Sequence, residues 1–151
     1  MAKPVFTIKI EGLRELDDAL GELTTATGKN VMRRVLTRMA EPMRADAQAK
    51  APVLSGTLKA SLTISSRLSR RQRKQWPKES TVELYVGAPS LPQATLQEFG
   101  SANQAPQPFL RPAFDANWQQ ALAKAKDMLA EEIRKAAARA ARKTARLARK
   151  S

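Results

Sequence analysis

The first part of the chain changes from an alternating to a helical pattern of hydrophobic residues. Phe6, Ile8 and Ile10 alternate with polar neighbours, and this period of two predicts a half-buried strand that ends at Gly12. Leucines then recur at spacings of three and four with acidic residues on the other face, which predicts an amphipathic helix. These leucines are Leu13, Leu16, Leu20 and Leu23.

A second helical pattern runs from Val31 toward Lys50, after a polar break at 24–30. Pro52 stops it, because the residue before a proline disfavours the helical conformation. Pro42 lies inside the pattern, where a proline removes one hydrogen bond and clashes with the preceding turn at a cost of about 3 kcal/mol. We therefore expect either a kink or two helices that meet at Pro42.

Two alternating segments further along predict the strands of an antiparallel hairpin, at 61–66 and 82–87. The connection from Arg67 to Ser80 is longer than the roughly 12 residues above which an unstructured loop is usually functional or disordered. After the hairpin we expect a short apolar turn from Leu96 to Phe99, followed by a loop as far as Pro108.

No helix breaker follows Pro112. A helix from Pro112 to Arg149 would be about 57 Å long at 1.5 Å per residue, more than a domain of this size covers, so its end must project. Its first half carries a stripe that we expect to face the core, formed by Phe114, Trp118, Leu122, Ala125 and Leu129. Beyond Ile133 the stripe shrinks mostly to alanine, and all Lys and Arg side chains fall on the opposite half of the helix.

These elements predict an α+β fold, in which a small antiparallel sheet of about three strands packs with several helices and a long basic C-terminal helix. A chain of 151 residues is expected to form one domain with a substantial core. We place that domain at 1–130 and the projecting basic end of the last helix at 131–151.

Positive charge is concentrated in two segments. The chain has 27 Lys and Arg against 14 Asp and Glu, a net charge of +13. Six of the cations lie from Arg67 to Lys78 and eight from Arg134 to Ser151, and neither segment contains an acid. The rest of the chain is therefore nearly neutral.

The basic end of the last helix has a physical reason to meet an anion. Like charges four residues apart, such as Lys135 and Arg139, are each unfavourable by about 0.2 to 0.5 kcal/mol. A polyanion or an acidic protein surface would remove that cost, whereas the alternative is a solvated face. Neither basic segment has the spacing of a sequence-reading motif, so nucleic acid would be contacted at its phosphates. The candidate contact residues are Arg70, Arg71, Arg73, Lys74, Arg139, Arg142, Lys143, Arg146 and Arg149.

Aromatic and apolar residues within these segments bear on other partners. Trp76 could stack on a base, but we expect it to pack against its own domain or a neighbouring subunit. No membrane partner is expected, because apart from Leu147 the last helix lacks the large apolar residues that anchor an interfacial helix. The N-terminus has no apolar signal region, so we expect a soluble, unprocessed protein that is made in the cytoplasm.

The composition excludes most catalytic designs. The chain has no cysteine and no histidine, which rules out disulfides, zinc fingers and nucleophiles or metal sites that need either residue. The carboxylates of Asp17, Asp18 and Glu22, like those of Glu131 and Glu132, fall where an amphipathic helix places its solvent face. We therefore expect no enzyme and no cofactor. An enzyme that used the first-helix carboxylates would depend on a divalent metal.

Three short motifs occur in order along the chain. They are APVLSGTLKAS at 51–61, QEFGS at 97–101 and PQPFLRPAF at 106–114. Together they resemble the small neck, or tail-completion, proteins of long-tailed bacteriophages, over roughly Phe6 to Leu129. Ser101 stands where that family usually has threonine, and neither basic segment matches a family motif.

The resemblance implies a virion protein at the head-to-tail junction, made in the bacterial host. It implies an oligomeric ring around the DNA channel, docked to neighbouring connector, tail-terminator or tail-tube proteins, with no catalysis and no cofactor. The motif residues that it assigns to the scaffold are Pro52, Gly56, Leu58, Glu98, Phe99, Gly100, Pro108, Phe109, Leu110, Arg111, Pro112 and Phe114.

The chemistry of the third motif agrees with a scaffold. Pro108 keeps the chain extended, so that Phe109, Leu110 and Phe114 can enter the core. We also expect Glu98 and Arg111 to pair, because both lie beside apolar residues where a lone charge would be costly.

A second function stays open at this point, that of a nonspecific, histone-like nucleic-acid-binding protein whose basic C-terminus is the working part. Removal of residues 134–151 should abolish that function, whereas a neck protein should still form its ring.

Overall fold

The computed structural model of the protein describes residues 21, 23–53, 56–89 and 91–149. Within these ranges the elements follow in the order α1 (Thr25–Lys50), α2 (Thr57–Ser61), β1 (Thr63–Ser65), α3 (Arg70–Gln75), β2 (Tyr85–Gly87), α4 (Pro92–Phe99) and α5 (Leu110–Ala148). The strand predicted at 6–10 and most of the helix predicted from Leu13 lie outside the described residues. Several helices, a small antiparallel sheet and a long C-terminal helix confirm the predicted α+β fold.

Helix α1 begins at Thr25 because Thr24 caps it. The Thr24 hydroxyl accepts a hydrogen bond from the N–H of Thr27 at 3.4 Å, which satisfies one of the donors that a helix start leaves without a partner. The polar break expected at 24–30 is therefore wrong, since these residues form the first turns of α1. The helix ends at Lys50, two residues before Pro52, as predicted.

Pro42 lies inside α1 without ending it. Of the two alternatives for this position, two separate helices is wrong, and a kink stays a prediction. Pro42 is exposed, whereas another face of α1 is buried and packs along α5. Burial of that face offsets the local cost of the proline. The buried residues are Val31, Val35, Ala40 and Ala47.

The predicted antiparallel hairpin is confirmed, with shorter strands. Ile64 in β1 pairs with Val86 in β2, and the register runs from Thr63 opposite Gly87 to Ser65 opposite Tyr85. Among the described residues the sheet has these two strands.

Two short helices replace segments that were expected to be irregular. The long connection within the hairpin contains α3, which Ser69 and Gln72 start with a reciprocal capping box. The segment expected to turn at Leu96 to Phe99 is the end of α4, which begins at Pro92, where a missing N–H costs nothing.

Two hydrophobic clusters hold the helices together. The larger one joins the end of α1 to α4 and the start of α5, with the fully buried Phe109 among Ala47, Ala51, Leu62, Ala94 and Ala113. The smaller one joins the start of α1 to the middle of α5 through Val31, Ile133 and Ala136. The two helices are therefore joined near both ends of α1.

Helix α5 extends beyond this core. It has 39 residues, which corresponds to about 58 Å. Ala136 is its last buried residue, and every described residue from Ala137 to Arg149 is exposed. The expectation that the helix extends beyond the domain is thus confirmed, and the division at 130 stays a prediction.

The stripe of large residues expected to bury the first half of α5 is partly wrong. Phe114 is 52% exposed, and the other four members are half-buried. The fully covered positions of that half carry the smaller side chains of Ala113 and Ala121. Small residues face the core here because they allow α5 to lie close to α1.

Candidate functional site

The buried carboxylate of Glu98 joins α4 to the start of α5. Its Oε2 accepts hydrogen bonds from the N–H groups of Phe109 at 2.8 Å and Leu110 at 2.9 Å. Its Oε1 accepts from the N–H of Arg111 at 3.0 Å and from the Arg111 Nε at 2.9 Å. The predicted pair of Glu98 with Arg111 is therefore confirmed.

These bonds account for all four positions at which a helix start leaves its N–H without an intrahelical partner. Phe109 is the N-cap residue of α5 and makes no side-chain cap of its own. Glu98 serves the N–H groups of Phe109, Leu110 and Arg111, and the fourth position is Pro112, which has no N–H to satisfy. The second and third motifs together therefore cap the start of α5.

The electrostatics of Glu98 follow from this arrangement. Burial would raise the pKa of its carboxyl, but the hydrogen bonds from the backbone of Phe109, Leu110 and Arg111 and from the Arg111 side chain together hold the pKa below its usual value. The carboxylate stays charged at the positive end of the α5 dipole, where a negative charge is favoured.

Gly100 ends α4 in a conformation that suits glycine. Its φ is +78°, and a Cβ at this position would lie 2.8 Å from the carbonyl oxygen of Gln104 and 2.9 Å from the nitrogen of Pro106. The N–H of Gln107 then donates to the carbonyl of Gln97 at 2.7 Å. The chain after Gly100 therefore folds back closely against α4, and Pro108 follows this turn.

The first motif contributes to the larger hydrophobic cluster. Gly56 precedes α2 with a φ of +72°, a conformation that favours glycine. Leu58 packs against the larger hydrophobic cluster, and Ala51 and Leu62 belong to it.

Arg111 and two phenylalanines form an exposed surface at the α4–α5 junction. The Arg111 guanidinium lies 5.0 Å from the centre of the Phe99 ring, within the range of a cation–π interaction. Phe99 is 64% exposed and Phe114 is 52% exposed. The expectation that Phe114 enters the core is wrong, because α5 turns Ala113 inward and Phe114 outward. We call Phe99, Arg111 and Phe114 the junction surface.

Apolar grooves flank the junction surface on both sides. One, with a volume of about 460 Å³, is lined by Met39, Met43, Leu84 and Phe114 among others. The other, of about 560 Å³, reaches Trp76 and Phe99. Leu110, Arg111 and Val86 line both grooves. Trp76 is 56% exposed and lines the second groove, so it packs on its own domain only in part, and packing against a neighbouring subunit stays a prediction.

The two basic segments are exposed throughout their candidate contact residues. In the first segment these residues lie on α3: Arg70, Arg71, Arg73 and Lys74. In the second segment they lie along the projecting part of α5 and at its C-cap: Arg139, Arg142, Lys143, Arg146 and Arg149. Their role as contacts for a polyanion or a partner stays a prediction.

Ion pairs between α1 and α5 are not evident from the hydrophobic pattern of the sequence. Arg34 Nε donates to Glu132 Oε2 at 2.6 Å, and Arg38 Nη1 donates to Glu131 Oε2 at 2.9 Å. Glu132 is 5% exposed, so its assignment to a solvent face is wrong. The pKa of Glu131 is lowered to about 2, first by the hydrogen bond from Lys135 and then by that from Arg38. The sequence did contain a signal for these ion pairs. It is the spacing of two arginines four residues apart on α1, which matches two adjacent acids on α5.

Residues 14–100 match the protein family described as "Bacteriophage HK97-gp10, putative tail-component". The match covers more than half of the chain. The chain belongs to this family. No curated protein and no solved structure matches it with significance.

Membership in the HK97-gp10-like family makes the protein a structural component of a phage tail, located in the virion and in contact with other tail or connector proteins. The family is not a class of enzymes. In the part of the chain that the structure describes, no group of acidic side chains could hold a metal ion. No described helix is long and apolar enough to cross a membrane.

The family match includes the first motif and the second motif as far as Gly100, where it ends. The third motif lies beyond it, yet Glu98 inside the matched region binds Phe109, Leu110 and Arg111 outside it. The start of α5 therefore belongs physically to the same unit of this tail component.

Proposed function

We propose that the protein is a subunit of an oligomeric ring at the phage head-to-tail junction, where it surrounds the DNA channel and joins connector proteins to tail proteins. The junction surface is the observation that carries this proposal. Aromatic residues and arginine are enriched at the centres of protein interfaces. A single exposed phenylalanine needs no explanation, but Phe99 and Phe114 flank Arg111 between two apolar grooves, and such continuity is typical of a docking surface.

A ring requires two different surfaces on each subunit that meet head to tail. We propose that the junction surface is one of them. The alanine face of the projecting part of α5 is suited to be the other, because Ala137, Ala140 and Ala141 are exposed and small enough for close helix approach. With that face on a neighbour, the opposite cationic face would be free to meet channel DNA or acidic groups of adjoining proteins.

The charge of the proposed ring fits a DNA channel. DNA in such a channel is held without being read, and Lys and Arg that contact phosphates supply binding of that kind. The cations of α3 and of the α5 end are exposed and need no rearrangement to reach a polyanion.

The test is to purify assembled particles from the producing bacterium, identify the chain by mass spectrometry and image the neck by cryo-electron microscopy. The proposal predicts a symmetric ring of this chain between capsid and tail, with the junction surface buried between subunits or against a neighbour. A ring in which Phe99 and Phe114 face solvent would contradict the role given to that surface.

A nonspecific nucleic-acid-binding protein is the second candidate function, and the exposed cations of α5 favour it. Deletion of residues 138–151 separates the two, because the deletion removes the exposed end and leaves the buried Ala136 in place. The second candidate predicts that this deletion abolishes function and that the full chain is absent from particles and bound to intracellular DNA or RNA. The ring predicts that the shortened chain still enters particles.

A further inference from the structure

A polar cavity of about 310 Å³ collects cations from three separate parts of the chain. Arg33 comes from the first third of α1, Arg67 follows β1, and Lys78 follows α3. The remaining lining is formed by Ser66, Val82 and Glu83. Arg33 belongs to neither basic segment, so this cluster exists only in the folded chain.

Hydrogen bonds position the two cations that come from the hairpin connection. The Ser65 hydroxyl accepts from the N–H of Arg67 at 3.1 Å and donates to the Arg67 carbonyl at 3.0 Å. Lys78 Nζ donates to the carbonyl of Thr81 at 2.7 Å, which uses one of its three N–H groups. The backbone at Arg67 and the ammonium of Lys78 are therefore held in place before any ligand arrives.

The one carboxylate of the lining is already committed to the loop. Glu83 Oε1 accepts from the N–H groups of Glu79 at 2.7 Å and Ser80 at 2.6 Å. Its other oxygen accepts the hydroxyl hydrogen of Tyr85. Glu83 thus shapes the wall of the cavity and leaves three positive charges against its single negative one.

Glu83 is the one carboxylate of the lining, and its charge interacts with that of Lys78. Within the described ranges, no salt bridge joins Arg33, Arg67 or Lys78 to an acid. Arg33 Nη1 bonds only the neutral Asn30 side chain, at 3.2 Å. Three cations that converge on one carboxylate already hydrogen-bonded to the loop leave a net positive charge, which is unfavourable, and an anion in the cavity would offset it.

We propose that this cavity binds a phosphate anion, and that the natural source is the phosphodiester backbone of DNA. Two guanidinium groups, one ammonium and the Ser66 hydroxyl offer donors from several directions. Arginine is suited to bidentate contact with phosphate, and lysine adds a point charge. The phosphate chemistry stands on the cavity alone, whereas DNA as the source rests on the proposed place beside channel DNA.

The path of the basic segment favours an extended polyanion over a single acidic side chain. Arg67 and Lys78 are the two ends of the first basic segment, and the fold brings both to one cavity. The cations between them are exposed on α3, so they extend the positive surface outward from the cavity. A row of phosphates matches both parts, whereas one carboxylate would occupy only the cavity.

The first experiment measures the salt dependence of binding to a short DNA duplex of mixed sequence, with the full-length chain and fluorescence anisotropy. The double variant Arg33→Gln/Arg67→Gln is expected to weaken binding and to reduce the slope of log K against log salt by about 0.9, the contribution of one phosphate contact. The matched control Lys124→Gln/Lys126→Gln removes two exposed charges of α5 that line no such cavity. It is expected to keep the wild-type slope.

The second experiment titrates inorganic phosphate into each protein and follows the backbone signals of Ser66 and Arg67 by NMR. Saturable shifts in the wild type and the control, lost in the double variant, are expected. If phosphate binding is lost but the DNA slope is unchanged, the cavity serves free phosphate, and DNA as the source is overturned. If neither phosphate binding nor the slope differs from the control, the site itself is overturned.

Two further measurements keep these outcomes separate from folding and assembly. Circular dichroism and urea unfolding check that each variant is folded, which is expected because the replaced side chains are exposed. Ring formation is assayed in particles. Failure to form a ring with phosphate binding intact would count against the proposed function and leave the phosphate site standing.

Discussion

At the scale of single residues, Glu98 decides how α5 begins. A helix start that is buried without partners for its N–H groups is costly, because each group loses its bond to water. Here one carboxylate serves three of those groups and one guanidinium, and Pro112 removes the need for a fourth bond. In the described part of the chain, every buried side-chain nitrogen and oxygen has a hydrogen-bond partner.

Replacement of Glu98 tests this arrangement. Glu98→Gln keeps the shape but turns one acceptor oxygen into an N–H donor that faces backbone N–H groups. We expect it to lower the free energy of unfolding by about 2 to 3 kcal/mol at neutral pH, measured by urea denaturation. Asp127→Asn, on an exposed position of α5, serves as the control and should change it little. Equal stability of Glu98→Gln and wild type would contradict the role of Glu98.

The same variant carries a prediction about pH. The pKa of Glu98 is lower in the folded chain than in the unfolded one, so its contribution to stability is complete above the unfolded pKa of about 4.3 and is lost as pH falls through the folded pKa. Glu98→Gln should therefore lose less stability than wild type between neutral and strongly acidic pH. Urea unfolding at a series of pH values measures this difference, and parallel curves would refute it.

Substitutions at Gly100 and two other glycines separate the cost of a steric clash from the cost of a positive φ. Gly100→Ala puts a methyl group within 3 Å of backbone atoms of the following turn and also requires a positive φ. Gly56→Ala requires a positive φ with open space around the methyl, and Gly87→Ala requires neither. We expect the free energy of unfolding to fall by about 1 kcal/mol for Gly56→Ala and by clearly more for Gly100→Ala, with little change for Gly87→Ala. Thermal unfolding ranks the three, and equal losses at Gly100 and Gly56 would show that the turn relaxes.

At the scale of elements, the sequence pattern reveals what depends on neighbours in the chain. The hairpin, the end of α1 and the extension of α5 were predicted because alternation, proline and uninterrupted helical spacing are local signals. Helices α3 and α4 were missed because each has only six to eight residues and starts through a cap or a proline instead of a long periodic face. Short helices of this kind carry too few positions to show a period.

The side chains of the candidate site were predictable only in part. The pairing of Glu98 with Arg111 followed from the cost of lone charges beside apolar residues. The burial of Glu132 did not, because a helical wheel shows which residues share a face but not that α1 brings Arg34 to that face. Phe114 was misplaced for the same reason, since close packing of α1 on α5 selects Ala113 for the core.

The projecting part of α5 should be dispensable for the fold. Deletion of residues 138–151 removes only exposed positions, so we expect the free energy of unfolding to stay within about 0.5 kcal/mol of the full chain. Deletion of residues 132–151 also removes Glu132, Ile133 and Ala136, which contact α1, and should cost several times more. Urea unfolding of both shortened chains tests this. A large loss from the shorter deletion would place part of the fold in the α5 end.

At the scale of the whole molecule, the junction surface and the candidate cationic contacts lie on different elements. The junction surface lies where α4 and α5 meet, with one groove that reaches Arg67 and Trp76, whereas the candidate cationic contacts occupy α3 and the end of α5. Apolar area drives association, and phosphate contacts depend on salt. Assembly with protein partners and contact with DNA should therefore respond differently to mutation and to ionic strength.

The junction surface can be tested for assembly without loss of the fold. Phe99→Ser and Phe114→Ser replace side chains that are already more than half exposed, so each should lower the free energy of unfolding by about 1 kcal/mol or less. Their effect on an interface should be larger, because aromatic anchors that become buried there contribute about 2 kcal/mol or more each. We therefore expect folded protein that fails to enter particles, with heads and tails left unjoined in electron micrographs when the variant alone is supplied. Val53→Ser, at a 66% exposed apolar position that lines neither groove, is the control and should assemble normally. Normal assembly of the double variant Phe99→Ser/Phe114→Ser would mean that partners dock elsewhere, because a ring that buried this surface could not tolerate the loss of both aromatic side chains.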